Sequence, residues 1–88
     1  MGRAAQIDVD EIKAGLYDVV VDEFTSARSF RVTVRDDYFE KYTRGRTRVE
    51  FVRDSFRFLL TREPKESILG TFDISEIEKY FPEFPEEI

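Results

Sequence analysis

The chain has 88 residues, nine Phe, no Cys, no His and a formal net charge of −5. That length implies one domain, which buries only about 60–65% of the surface its unfolded chain exposes, with no disulfide to help. Imidazole acid–base chemistry, thiolate nucleophiles and the usual Cys/His zinc sites are excluded, and no run approaches the ~20 apolar residues of a membrane span.

In chain order, residues 1–6 are expected to be flexible. The opening MGRAAQIDVDE has no apolar stretch, and Gln6 stands where a myristoylation signal needs Ser or Thr, so neither a secretory leader nor a lipid anchor is expected. With no Cys, the compartment expected is the cytoplasm. Over residues 7–15, Asp8 or Asp10 reads as the cap of a single helical turn that Gly15 stops. The acids Asp8, Asp10 and Glu11 lack the central Gly and terminal Glu of a calcium loop.

Residues 16–24, LYDVVVDEF, read as a strand by their Val run. Residues 25–28 form the turn. In residues 29–35, Phe30, Val32 and Val34 alternate with Arg31, Thr33 and Arg35, so a second strand pairs with the first as an antiparallel hairpin. A hairpin alone is marginal in water, so it must lie against helices or a second copy. Asp36 or Asp37 caps a short helix over 38–43, which Arg44-Gly45-Arg46 breaks.

Thr47 and Glu50 form a capping-box pattern at the head of the central helix, 49–63. Val49, Val52, Phe56, Leu59 and Leu60 fall on one face of it, and Phe51 and Phe58 on nearly the opposite side. A helix with two apolar stripes must be covered twice, by its own chain or by a copy. Pro64 ends it and suits the start of a helix over 64–69, stopped by Gly70. Asp73 and Glu76 form another capping-like pair before a helix over 74–80. Pro82 stops that one, and Pro85 keeps the tail extended, with residues 85–88 expected to be flexible. Ile68, Leu69, Phe72, Ile77, Tyr80, Phe81 and Phe84 supply cover for one side of the central helix. The class expected is α+β, an antiparallel β-hairpin followed by three or four short helices packed around one central helix.

Charge is divided along the chain. Residues 1–27 carry two basic and six acidic side chains, residues 28–62 ten and five, and residues 63–88 two and eight. Nine of the ten central cations are Arg, suited to bidentate recognition of carboxylate or phosphate. The simplest reading is internal, with the basic middle packed beside acidic ends. No Gly-rich phosphate loop exists, and the five Ser residues have no imidazole partner, so no enzyme, cofactor or metal site is expected.

The strand FRVTVR, a short helix, a break, then GRTRVEF at the head of a longer helix together resemble the ribbon-helix-helix family of DNA-binding dimers, over residues 30–63. The resemblance implies that the strand pairs with its twin in the major groove, with Arg31, Thr33 and Arg35 turned to base edges. It also implies that the helix start around Arg46, Thr47 and Arg48 holds a phosphate. The opposing reading makes Arg31, Thr33 and Arg35 a solvated sheet face, paired with Asp18 and Asp22 on the preceding strand. The run REPKESILGTFDISEIEKYFPEF also looks like small bacterial proteins of unassigned function, which implies a compact domain without activity.

The function expected is a non-enzymatic binding module for a protein partner. It is expected to self-associate as a homodimer through Phe51 and Phe58, without membrane, metal or cofactor. The alternative is a dimeric DNA-binding regulator using the Arg31/Thr33/Arg35 strand.

Overall fold

Four strands form one sheet: β1 (Gln6–Lys13), β2 (Leu16–Glu23), β3 (Ser26–Thr33) and β4 (Thr71–Asp73), side by side in that order. The computed structural model describes residues 5–88. The first three strands pair antiparallel, and β4 runs parallel to β3. The period-2 alternation of strands sends Ile7, Val9, Tyr17, Val19, Val21, Phe30, Val32 and Phe72 into the core. The residues between them, among them Asp8, Asp10, Asp18, Asp22, Arg31 and Thr33, lie on the opposite face.

Between β3 and β4 come helices α1 (Asp36–Tyr42) and α2 (Arg48–Arg62). After β4 come α3 (Ile77–Tyr80) and α4 (Phe84–Glu87), each a single turn. The class is therefore α+β. At the head of α2, Thr47 Oγ1 accepts from the Glu50 amide at 3.1 Å, and Glu50 Oε1 accepts from the Thr47 amide at 2.8 Å. This capping box satisfies two of the four amides that a helix start leaves without partners. The helix packs on the sheet through Phe56, whose ring lies 5.1 Å from Phe30 and 5.9 Å from Phe72. Arg53 Nε donates to the Ile7 carbonyl at 3.1 Å, tying α2 to the edge strand β1. Ser55, fully buried, turns its hydroxyl back to the Phe51 carbonyl at 2.8 Å, so its burial leaves no polar atom without a bond.

Several expectations are corrected. Residues 7–15 are not a capped helical turn but β1 and its hairpin turn to β2. Ile7 and Val9 face inward, and Asp8 and Asp10 lie on the outer face instead of capping a helix. Gly15 stops no helix. It takes φ +81° at the turn and its carbonyl accepts from the Val34 amide at 2.8 Å. A Cβ there would meet the Val34 carbonyl at 3.3 Å, so both backbone conformation and space favour glycine. The expected two-stranded hairpin is thus the middle of a four-stranded sheet, turned by Phe24 and Thr25 alone.

Neither Asp36 nor Asp37 is the N-cap of α1. Arg35 holds that position without a side-chain bond, and Asp37 Oδ1 accepts from the Tyr38 amide at 2.8 Å. The helix expected over 64–69 shrinks to a 3-10 turn, Lys65–Ser67, because Ile68 goes extended (ψ 135°) and feeds β4. The Asp73–Glu76 pair does form a capping box, at the head of a 3-10 turn that runs into α3. The tail does not stay extended past Pro82. It forms α4, with Pro85 in the first turn, where its missing N–H costs no helical bond. Of the segment expected to be flexible, residues 1–4 lie outside the described residues, and Gln6 belongs to β1.

Candidate functional site

Arg31 and Thr33 of β3, with Arg35 just beyond it, do share one exposed face. That face is neutralised from both sides. Asp18, directly opposite Arg31 on β2, accepts from Arg31 Nε at 2.9 Å. Arg35 lies 3.6 Å from Asp73 of β4 and donates to Ser75 Oγ at 3.2 Å. The expected partner of Arg35, Asp22, instead stands opposite Ala27. The place beside Arg31–Thr33, where a twin strand would pair in a ribbon arrangement, is taken by β4.

Arg46 and Arg48 are likewise committed. Arg46 bonds Asp54 at 3.0 Å and also closes the turn before α2 on the Thr43 and Tyr42 carbonyls. Arg48 donates to Asp36 at 2.6 Å and stacks 4.4 Å over Phe39, with its second terminal nitrogen buried and without a bond. Thr47 is occupied as the cap of α2. Five of these six residues are thus already partnered, and the sixth, Thr33, is flanked by partnered arginines.

Phe51 and Phe58 are not a free surface. Phe51 is enclosed by Tyr38 and Phe39 of α1, at 6.5 and 5.5 Å between ring centres. Phe58 lies 5.9 Å from Phe81 and 5.1 Å from Phe84, with the Arg62 guanidinium 4.0 Å over its ring. The two-striped helix is covered on its second side by its own chain, so these rings offer nothing to a second copy. Arg62 in turn pairs with Glu83 and Glu87, both at 3.1 Å, which fixes α4 on α2. A backbone amide bond and Arg62 together hold the Glu83 carboxyl below the usual carboxylate range.

Lys65 is a charged side chain with almost no exposure. Its Nζ lies 2.7 Å from Glu23 at the end of β2 and 2.8 Å from Glu66. Hydrogen bonding to these two carboxylates raises the Lys65 pKa, and the same contact lowers that of Glu66. Tyr38 donates to Glu78 at 2.9 Å, and burial with that carboxylate pushes its phenol well up. Lys65 thus ties the turn after α2 to the end of β2, and Tyr38 ties α1 to α3.

A groove of about 240 Å³ lies between the C-terminal end of α2, the turn before β4, and α3. Leu59, Ile68, Phe72 and Ile77 line it as buried residues. Leu69 and Tyr80 stand on its rim with 57% and 70% of their surface in solvent. Glu63 and Glu76 also line it, and no Lys or Arg does. Glu76 accepts weakly from the Asp73 amide at 3.4 Å, whereas the Glu63 carboxylate has no ion-pair or hydrogen-bond partner among the described residues. The sequence reading assigned Leu69 and Tyr80 to covering α2. No flanking residue signals otherwise: Leu69 lies just beyond a three-residue 3-10 turn and Tyr80 at the end of a one-turn helix, elements too short to turn every apolar side chain inward.

Among the described residues no three His, Cys, Asp or Glu side chains gather as a metal-binding group, and no helix is long and apolar enough to cross a membrane. Comparisons with models of protein families, with curated proteins and with solved structures find no match.

Proposed function

We propose that this chain is a non-enzymatic binding module that takes a segment of a protein partner in the groove beside α3. The observation that carries the reading is the exposure of Leu69 and Tyr80 on the rim of an apolar depression, in a chain whose other large rings are mostly folded inward. A partner's apolar side chain seated in that depression would leave water, which favours association. At about 240 Å³ the groove falls below the roughly 300–1,000 Å³ of small-molecule and cofactor sites. It suits one or two side chains of a longer ligand.

The competing reading, a DNA-binding dimer reading bases through Arg31, Thr33 and Arg35, is disfavoured because Asp18 and Asp73 already occupy both arginines. Selection of a phage-displayed random peptide library on the wild-type protein tests the proposal. Enriched peptides should lose binding to Leu69→Asp and keep it with Arg31→Ala/Arg35→Ala. No enrichment, or the reverse pattern, would remove it.

A further inference from the structure

We infer that the segment received by this groove is cationic and amphipathic: an apolar side chain seated between Leu69 and Tyr80, with a Lys or Arg of the same segment on Glu63. This rests on the proposed use of the groove and adds the charge of its occupant. Charge complementarity at the groove favours such a segment. Nearly every other charge near α2 is spent within the chain, Arg62 on Glu83 and Glu87, Lys65 on Glu23 and Glu66, Arg57 on Asp54. Glu63 is the exception. It sits at the C-cap of α2, where helix carbonyls already present a partial negative charge.

A carboxylate at that end of a helix is unfavourably placed for stability, because like sign meets like. A cation brought by a ligand relieves it. Glu63 and Glu76 line the groove without a cation between them, so a neutral or acidic segment would leave them uncompensated and an acidic one would be repelled. Cations on the rim of an interface act mainly on encounter and on partner choice, which is the role assigned to this pair.

The probes are the peptides enriched on the wild-type protein, titrated by fluorescence polarisation against wild type, Glu63→Gln and Leu69→Asp. Leu69 is exposed and the Glu63 side chain bonds nothing among the described residues, so both variants keep the fold. The enriched sequences should share an apolar residue with a nearby Lys or Arg. Glu63→Gln should weaken them roughly fivefold to tenfold, and raising salt from about 50 to 500 mM should weaken the wild type in the same direction. Peptides lost with Leu69→Asp but neutral in composition and indifferent to Glu63→Gln would overturn this inference and leave the groove reading standing. Peptides indifferent to Leu69→Asp would overturn both.

Discussion

Arg31 and Asp18 face each other across the β2–β3 ladder, with guanidinium Nε and carboxylate Oδ1 2.9 Å apart. On its other side Asp18 stands opposite Asp10 of β1, so the arginine compensates a pair of like charges on adjacent strands. Both partners are about half exposed, and an exposed cross-strand pair contributes only about 0.2–1 kcal/mol. The pair matters more for potential than for stability. With Asp18 and Asp73 in place, the face around Arg31, Thr33 and Arg35 offers little net positive charge to a phosphate backbone.

A first prediction follows from that neutralisation. Titrated with duplex DNA at low salt, the wild-type protein should show no binding of the steep salt dependence that phosphate neutralisation brings. Arg31→Ala/Arg35→Ala should behave as the wild type does, and should lose at most about 2 kcal/mol in denaturant unfolding. Tight DNA binding that the double variant abolishes would restore the ribbon-helix-helix reading.

Phe58→Glu separates internal packing from self-association. A ring at a dimer interface would leave a folded monomer when replaced. Here the carboxylate would be buried against Phe81 and Phe84, so the variant should melt far below the wild type at every protein concentration. Sedimentation and thermal melting read the two outcomes apart.

Phe56 anchors α2 to the sheet between Phe30 and Phe72. Phe56→Ala should cost about 3–5 kcal/mol in denaturant unfolding, as truncated core aromatics do. Total stability for a domain of this size is on the order of 5–13 kcal/mol, so the variant should be close to unfolding under mild conditions. A loss below about 1 kcal/mol would contradict the packing described.

The ion pairs of the C-terminal half contribute to stability in a pH-dependent way. Glu66 and Glu83 have folded pKa values below the ordinary 4.5, through Lys65 in one case and a backbone amide with Arg62 in the other. A depressed carboxyl contributes stability that is fully present above its unfolded value and is lost as pH falls through the folded one. The melting temperature should therefore hold from neutrality to about pH 5 and decline below pH 4.5. In Glu66→Gln/Glu83→Gln the neutral melting temperature should be lower and the acid decline shallower. Lys65 and Tyr38, both raised, act at the other end: their contribution is present below their unfolded values and lost only at higher, strongly alkaline pH.

Much of the chain was legible from local chemistry, and the misses have particular causes. The Val run of β2, the alternation of β3 and the Thr47/Glu50 box each carry a strong short-range signal; β2 and α2 stand where their patterns put them, whereas β3 runs Ser26–Thr33 instead of 29–35 and begins inside the expected turn. The Ile7-x-Val9 alternation of β1 was equally present, but Asp8, Asp10 and Glu11 have low strand propensity and read as caps. On an exposed edge strand such charges are favourable, because they discourage pairing with another chain. β4 spans three residues, too few to show any period, and depends on the backbone bond from the Arg31 amide to the Gly70 carbonyl at 2.7 Å. The groove was illegible for a similar reason. Whether Leu69 and Tyr80 cover α2 or stand beside it depends on where the Ile68 backbone turns, which no side-chain pattern encodes.

Recognition is proposed at the groove beside α3 and not at the arginine face. Backbone amide chemical-shift mapping by NMR, with a wild-type-selected peptide added to the labelled full chain, tests it most directly. Shifts should be concentrated at Leu59, Glu63, Ile68, Leu69, Ile77 and Tyr80, with Arg31, Thr33 and Arg35 unmoved. Shifts centred on β3 and the head of α2, with the groove silent, would contradict it.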